Sequence, residues 1–315
     1  MTATPHSALR PPLRGLDVAV RGAYPFLDRA ARARGAAYVN AEGGDVGMHG
    51  SHRSVVRHVA HYLAAAELVR TAGLARATGL DRAGEVDGPV LDVGSGVGAL
   101  AAWMADTLGA ELHLADHDPR LLAVAAEAFP GTAVYSDLDD VASGAFRLVT
   151  AMEVVEHIHA TEHLAFVEAL YARVAPGGLL VVSTPDETRY LGGWSGYAPH
   201  IGCVDPAGLH QLLTTATGQP ATVWRLEGEP FALNLARRVG EPVLNRVWGW
   251  VSAHVPALAV RLGGGAARVA GPARTRSDAR VPDDVRAVPP EEGQGTGLLA
   301  VVRAPGGDSE VAASP

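Results

Sequence analysis

The sequence has little of what would tie it to an oxidising compartment or to a membrane. Among 315 residues there is a single cysteine, Cys203, so no disulfide can form within the chain. No apolar run reaches the roughly 18 residues of a membrane-spanning helix, and the N-terminal segment lacks the apolar stretch of a signal peptide. These absences predict a cytoplasmic protein whose core needs neither disulfides nor a bilayer.

Positive charge is also scarce for a protein that would bind a long nucleic acid. The net charge is −8, with 26 Lys and Arg residues against 34 Asp and Glu residues. A nucleic-acid-binding surface usually carries an excess of basic residues, so nucleic acid is disfavoured as a partner. The hydrophobic fraction of 48% suits a globular protein with a substantial core.

Short apolar runs alternate with helical patterns along most of the chain. This alternation is typical of a parallel sheet wrapped by helices. We predict an α/β fold with a doubly wound, mostly parallel seven-stranded sheet, an N-terminal helical addition and a long helical insertion before the last strand. The predicted strands cover residues 89–93, 111–115, 133–135, 146–151, 179–183, 221–226 and 297–303, and the predicted helices cover residues 51–73, 97–108, 120–129, 163–174 and 206–215.

The same patterns divide the chain into segments. Residues 1–50 are predicted to be an arm and cap, with a loose Pro-rich stretch up to about residue 20. A core follows over residues 51–228, and an insertion over residues 229–296 precedes the last core strand, residues 297–304. The tail, residues 305–315, is expected to be disordered.

The insertion combines a helical pattern with a basic stretch. Its first half has apolar residues at helical spacing, and from Gly263 it is rich in Gly, Ala, Arg and Pro, which predicts a flexible loop. Residues 236–280 contain eight Arg residues and two acidic residues. We interpret the insertion as a lid over the substrate, a weak contact with a membrane surface or a homodimer contact; the simplest alternative is a covering helix followed by a solvated loop.

The clearest motif is Val90-Leu91-Asp92-Val93-Gly94-Ser95-Gly96-Val97-Gly98, a buried strand that runs into a glycine-rich turn and a helix. Glycines let the backbone turn tightly and approach a ligand, and a helix N-terminus offers free N–H groups. Asp116 ends the second strand, 22 positions after Gly94, close to the spacing of a ribose-binding acid in nucleotide-binding folds. Together they predict an adenosine-type ligand, and a dinucleotide is disfavoured because Gly98 comes one residue early for that fingerprint.

The segments VLDVGSGVG, LADHDP and APGGLLVVSTP, with Asp137 after the third strand, resemble the class I methyltransferase superfamily over residues 50–227 and 297–303. The resemblance implies S-adenosyl-L-methionine as cofactor and methyl transfer as activity. It places the methionyl part at the glycine loop, the ribose on Asp116 and the adenine beside Asp137. The implied cofactor-binding residues are Asp92, Gly94, Ser95, Gly96, Gly98, Asp116, His117, Asp137, Leu138 and Met152.

A second motif, Glu153-Val154-Val155-Glu156-His157, follows the fourth strand. Strand ends in this fold face the active crevice, and a helical turn starting at Glu153 would bring Glu153, Glu156 and His157 onto one face. Two carboxylates and an imidazole can hold a divalent cation, and His200, in the loop after the fifth strand, can supply a fourth ligand. These donors do not select among Mg, Mn, Fe and Zn. The alternative is that Glu156 and His157 shape the pocket without a metal.

Two branches of the superfamily are similar to this segment: the ubiquinone-biosynthesis O-methyltransferases and, more distantly, the small-RNA 3′-terminal 2′-O-methyltransferases. The first implies O-methylation of a catechol, vicinal diol or sugar hydroxyl on a small organic molecule. The ubiquinone branch has a Glu-Val-x-Glu-His segment here and a histidine before the next helix, and the RNA branch binds a metal through Glu, Glu, His and His. Glu153, Glu156, His157 and His200 match those ligands, which implies that they are the catalytic and metal-binding residues. The RNA enzymes often carry a second histidine where this chain has Ile158. RNA 3′-terminal 2′-O-methylation and a non-catalytic cofactor-binding partner protein remain the alternatives.

Overall fold

The computed structural model describes residues 13–34, 52–74, 86–255, 281 and 285–306. The helices are α1 (Leu16–Arg34), α2 (His52–Thr71), α3 (Ala99–Leu108), α4 (Pro119–Ala128), α5 (His163–Tyr171), α6 (Pro206–Thr217) and α7 (Leu235–His254). The strands are β1 (Val90–Val93), β2 (Leu112–Ala115), β3 (Ala133–Tyr135), β4 (Phe146–Met152), β5 (Val174–Pro185), β6 (Ala221–Glu227), β7 (Arg286–Val288) and β8 (Gly297–Arg303).

All eight strands pair in one sheet with the order β3-β2-β1-β4-β5-β8-β6-β7. β1 is parallel to β2 and β4, and the parallel pairing extends to β3 and β5. β8 is antiparallel to both β5 and β6. The strand order reverses between β1 and β4, and ligands bind at the carboxyl ends of the strands beside such a point. The predicted doubly wound, mostly parallel α/β fold is confirmed.

The prediction of seven strands is wrong, because β7 adds an eighth at the sheet edge. β7 lies in the stretch predicted to be a flexible loop, yet Ala287 and Val288 are buried where β7 pairs with β6. Three residues are too few for an alternating pattern to be recognised in a sequence. The rest of the basic stretch up to residue 280, and the tail from residue 307, lie outside the described residues.

The N-terminal helices cover one face of the sheet. α1 packs against α2, α3 and α4, and it buries Leu16 and Val20. The prediction of a loose arm up to about residue 20 is therefore wrong for residues 16–20, while residues 1–12 lie outside the described part. α2 has an apolar face buried in the core, and its polar residues approach the carboxyl end of β4, where they contribute to the site described below.

The first half of the insertion is helical, as its pattern predicts. α7 follows the short turn Glu229–Phe231 and is capped by Asn234, whose side chain accepts a hydrogen bond from the Arg237 N–H. Several of its large apolar side chains are exposed, among them Val243, Val247 and Trp250. None of the helices in the described ranges has the length and apolar character that crossing a bilayer requires.

Candidate active site

The glycine-rich turn joins the carboxyl end of β1 to the start of α3. Gly94 and Gly98 have φ angles of 70° and 69°, which residues with a side chain rarely adopt. A Cβ atom on Gly98 would lie 2.4 Å from Cδ1 of Leu114. No side chain caps α3, and the buried Oγ of Ser95 has no hydrogen-bond partner among the described residues. The turn therefore presents polar groups that a bound molecule can satisfy.

Asp116 connects this turn to the end of β2. Its side chain is buried, its Oδ2 accepts a hydrogen bond of 2.8 Å from the Gly96 N–H, and its Oδ1 accepts one of 2.9 Å from the Asp118 N–H. Each carboxylate oxygen has a second lone pair. Asp116 thus fixes the loop and can still accept hydrogen bonds from a ligand.

The remaining residues of the predicted cofactor site follow along the same edge of the sheet. His117 has a side chain that is 97% exposed, Asp137 is exposed and accepts a hydrogen bond from the Asp139 N–H, and Leu138 is half-buried. Met152 is buried at the end of β4, opposite Ser183 of β5. These positions leave an open rim beside Asp116, and adenine binding there stays a prediction.

Glu153 does not join Glu156 and His157 on one helical face, so this part of the sequence prediction is wrong. Its φ angle is 58°, in the left-handed region, and the helical turn begins only at Val155. The backbone N–H of Glu153 donates to the Ser183 carbonyl oxygen at 3.0 Å. A non-glycine residue held in this conformation is strained, and the ligand atoms that cluster are those of Glu156, His157 and His200, without Glu153.

The Glu153 carboxylate faces α2 instead. It accepts a hydrogen bond from the Arg57 guanidinium, and the Nδ1 atom of His61 lies 3.7 Å from its Oε1. Burial would raise the pKa of Glu153, but the charge of Arg57 and the nearby histidines lower it. Glu153 is therefore an ionised group that joins α2 to the ends of β4 and β5.

The other three predicted ligands do come together. One ligand atom from each of Glu156, His157 and His200 lies within 4.8 Å of the others. The rings of His157 and His200 meet edge to face with centroids 5.0 Å apart. Glu156 is buried, its Oε2 accepts a hydrogen bond of 2.8 Å from the Thr184 hydroxyl, and its Oε1 has no partner in the part of the chain described here. Burial and the charge of Glu153 raise the pKa of Glu156.

His200 also belongs to a carboxylate–imidazole pair that the sequence analysis did not identify. Its Nδ1 lies 2.8 Å from Oε1 of Glu187, and Glu187 also accepts a hydrogen bond from the Ser195 N–H. Burial alone would raise the pKa of Glu187, but these hydrogen bonds lower it. The pair leaves Nε2 of His200 available, which is the arrangement of an oriented base or metal ligand. The position of Glu187, two residues after the end of β5, was the signal that could have found it.

The insertion helix supports this pair. The side-chain amide of Asn245 on α7 donates a hydrogen bond of 2.9 Å to the Ser195 carbonyl oxygen. The Tyr190 hydroxyl donates one of 2.8 Å to Glu241. A Cβ atom on Gly196 would lie 2.6 Å from the Pro242 carbonyl oxygen. α7 thus packs on the loop that holds Glu187 and, through it, His200.

The sequence family described as a methyltransferase domain matches residues 56–217. This range contains the glycine loop, Asp116, the Glu156 cluster and the Glu187–His200 pair. The chain belongs to this methyltransferase family. The prediction of a class I S-adenosylmethionine-dependent methyltransferase is confirmed, and membership of the ubiquinone branch stays a prediction.

The solved structures to which this chain is similar include three proteins named as methyltransferases. A phosphoethanolamine N-methyltransferase from Haemonchus contortus is 15% identical, with a TM-score of 0.42, over 72% of this chain and 50% of its own. A putative sarcosine dimethylglycine methyltransferase from Galdieria sulphuraria is 12% identical, with a TM-score of 0.47, over 79% of this chain and 88% of its own. An amino pentose methyltransferase from Micromonospora echinaspora is 29% identical, with a TM-score of 0.31, over 38% of this chain and 48% of its own. The chain thus spans half the length of the nematode enzyme. Among curated proteins, no sequence matches it.

Asp92 of the methyltransferase gives a prediction about stability. It is buried in β1, accepts hydrogen bonds from Tyr62 and Thr150, and has a pKa raised from 3.8 to about 7, chiefly by burial. Because the folded state holds this proton more tightly than the unfolded state, the contribution of Asp92 to the free energy of unfolding is present below pH 3.8 and is lost as the pH rises to about 7. We expect Asp92 to lower the free energy of unfolding by at most about 4 kcal/mol over that range.

Urea unfolding at a series of pH values checks this expectation. D92N should lose the component of the pH dependence that the wild-type protein shows, whereas D106N, at an exposed position of α3, should keep it. Equal pH slopes in the wild-type protein and D92N would contradict the assigned proton.

Proposed function

We propose that this methyltransferase transfers the methyl group of S-adenosylmethionine to a hydroxyl oxygen on a small organic molecule. The observation that carries the proposal is the Glu187–His200 pair. It stands with Glu156 and His157 at the carboxyl ends of β4 and β5, on the sheet edge that also holds the glycine loop. A pair of this kind is suited to removing a proton from a hydroxyl group.

In the proposed cofactor site, Asp116 accepts hydrogen bonds from the ribose hydroxyls, and Gly94, Ser95, Gly96 and Gly98 surround the methionyl part. The orphaned Ser95 Oγ supports this placement. Asp92 lies beneath the loop, where the hydroxyl of Tyr62 from α2 reaches it at 2.9 Å. The predicted adenine contacts are His117, Asp137 and Leu138, with Met152 beside the cofactor. Bound S-adenosylmethionine supplies the electrophilic methyl carbon.

The protein's own groups prepare the acceptor. Nε2 of His200 accepts the hydroxyl proton while Nδ1–H keeps its hydrogen bond to Glu187, and the ionised Glu187 stabilises the imidazolium. The deprotonated oxygen would be the nucleophile for the methyl carbon that bound S-adenosylmethionine would supply, and sulfur would be the leaving group that keeps the electron pair of the broken carbon–sulfur bond. Tyr197, whose ring meets that of His200 edge to face at 4.9 Å, helps to fix the imidazole.

A divalent cation is a second way for the same residues to activate the hydroxyl. Glu156, His157 and His200 fit a cation because Oε1 of Glu156 is a buried oxygen without a partner among the described residues and imidazole and carboxylate are common ligands. A cation there would lower the pKa of a bound hydroxyl. Glu153 is left out of this set because its carboxylate pairs with Arg57.

Incubation with methyl-labelled S-adenosylmethionine and a panel of catechols, sugars, amines, carboxylates and short RNA tests the proposal. We expect label on a hydroxyl oxygen of a small molecule. Label only on amines, or only on the 3′-terminal ribose of RNA, would overturn it. Binding of the cofactor without transfer to any acceptor would favour a non-catalytic partner protein.

The same assay in excess chelator decides between the two ways of activating the hydroxyl. Loss of turnover that returns with added Mg²⁺, Mn²⁺, Fe²⁺ or Zn²⁺ would assign a cation to Glu156, His157 and His200. Full activity in chelator would leave His200 as the base alone.

The cytoplasmic location and the membrane and homodimer contacts of the insertion stay predictions.

A further inference from the structure

A cavity of about 400 Å³ lies beyond the Glu187–His200 pair on the same edge of the sheet. Its walls come from the segment after β5, the start of α6, β6, α7 and the segment before β8. This volume lies in the range of small-molecule pockets. Among its lining residues are the arginines Arg189, Arg225 and Arg238 and the aspartates Asp186 and Asp205.

The aspartates of this cavity are already engaged. Asp186 forms a buried ion pair with Arg225 at 2.8 Å, lies 3.5 Å from Nε of Arg189 in a second ion pair, and accepts a hydrogen bond from the Thr188 N–H. Asp205 caps α6 and accepts a hydrogen bond from the Gly208 N–H. Arg225 in turn donates to two carbonyl oxygens of the segment before β8, so it holds the wall in place. Three arginines against two aspartates give the cavity lining a net charge of +1.

The other two arginines have unused donors. Arg189 donates to the Gln294 side chain at 3.1 Å and to the Gly293 carbonyl oxygen at 2.8 Å, which leaves one hydrogen on each Nη atom unused. The guanidinium of Arg238 has no hydrogen bond or ion pair within the described part of the chain, although its residue lines the cavity. Guanidinium groups bind carboxylates and phosphates through paired hydrogen bonds.

The cavity and the proposed base share two walls. The carboxylate of Glu187 contacts His200. Its two chain neighbours, Asp186 and Thr188, line the cavity. The loop that carries His200 continues to Asp205 and Pro206, which line the cavity as well. A molecule held in the cavity by one end would therefore lie next to the proposed site of methyl transfer.

We propose that Arg238 and Arg189 form a subsite for an oxyanion, a carboxylate or phosphate carried by the methyl acceptor. This inference rests on the proposed function, because it assigns one end of the acceptor whose hydroxyl faces His200. It places the acceptor among small acidic hydroxy compounds. The insertion helix then has a binding role, since Arg238 is the residue that α7 contributes to the cavity.

Calorimetric titration with inorganic phosphate and with succinate tests the subsite without needing the acceptor. We expect the wild-type protein to bind one of these probes with millimolar affinity and R238Q to bind it at least fivefold more weakly. R246Q is the matched control, because Arg246 is exposed on the same helix, does not line the cavity and stacks on Trp194. Comparing the affinities for phosphate and for succinate shows whether the subsite prefers a phosphate or a carboxylate.

Three results would each overturn the subsite. The first is that neither probe binds up to 50 mM (roughly −2 kcal/mol). The second is equal affinity in R238Q and the wild-type protein, and the third is an equal loss of affinity in R246Q. S-adenosylhomocysteine is titrated into the same three proteins and should bind equally to all. If it fails to bind while phosphate binding still depends on Arg238, the proposed function fails and the oxyanion pocket stands without it. Once an acceptor is found, phosphate should compete with it and not with S-adenosylmethionine.

Discussion

H200A is expected to lower kcat at least a hundredfold while the affinity for S-adenosylhomocysteine stays within twofold. A positioned general base typically contributes about 10² to 10⁴ in rate, and His200 is the imidazole that Glu187 orients at 2.8 Å. The cofactor loop follows β1 and Asp116 follows β2, whereas His200 lies in the loop after β5. The substitution should therefore not disturb cofactor binding. The measurement is steady-state methyl transfer to the acceptor found with the labelled cofactor, beside a calorimetric titration.

Two further variants separate chemistry from structure. E187Q keeps the size of the side chain and the hydrogen bond to His200 but removes the charge that stabilises the imidazolium, so we expect a loss of about 10- to 100-fold. H210A changes an exposed histidine on α6 and should leave kcat unchanged. Turnover of H200A within threefold of the wild-type rate would remove His200 from the mechanism, with or without a cation.

The sheet could be predicted from the sequence because its strands are short, buried and separated by turn residues. Val90–Val93 is buried at every position, so it reads as a continuous apolar run, and the glycine turn marks its end. The edge strand β7 was harder to predict. β7 has only three residues, and its place depends on pairing with β6 far along the chain. Local pattern carries no information about such a pairing.

The cofactor loop could be predicted because its geometry depends on residue type alone. Only glycine fits at Gly98, where φ is positive and Leu114 packs close. The cluster after β4 was predicted in part, since Glu156, His157 and His200 converge as expected. Glu153 departs because its backbone is left-handed and Arg57 of α2 binds its carboxylate. That partner lies 96 residues away along the chain, and one sequence cannot reveal it.

The role of the insertion also depends on contacts that composition does not show. Its basic character predicts an affinity for anions, but the structure shows which arginine lines a cavity. Arg238 lines one, whereas Arg237 pairs with Glu241 and Arg246 stacks on Trp194. α7 also reaches the Ser195 loop through Asn245. The insertion is therefore linked to the active site by specific contacts as well as by charge.

D116A is expected to weaken the binding of S-adenosylmethionine and S-adenosylhomocysteine at least tenfold, and the loss should be larger than for any neighbouring acid. The carboxylate fixes the loop through the Gly96 N–H at 2.8 Å and the Asp118 N–H at 2.9 Å, and its remaining lone pairs are those proposed to accept the ribose hydroxyls. Loss of hydrogen bonds to a charged group costs about 1.5–3 kcal/mol each, which corresponds to a tenfold or greater change in affinity. Calorimetric titration with S-adenosylhomocysteine measures this change in affinity.

D116N separates the two roles of this side chain. The amide oxygen can still accept a hydrogen bond from the Gly96 N–H, which holds the glycine loop, but the amide nitrogen can accept one neither from the Asp118 N–H nor from a ribose hydroxyl. We therefore expect an affinity between those of D116A and the wild-type protein, with D106N as an exposed control. If D116A bound the nucleoside as tightly as the wild-type protein does, the ribose would lie elsewhere, and the cofactor site built on the β1 turn would be wrong.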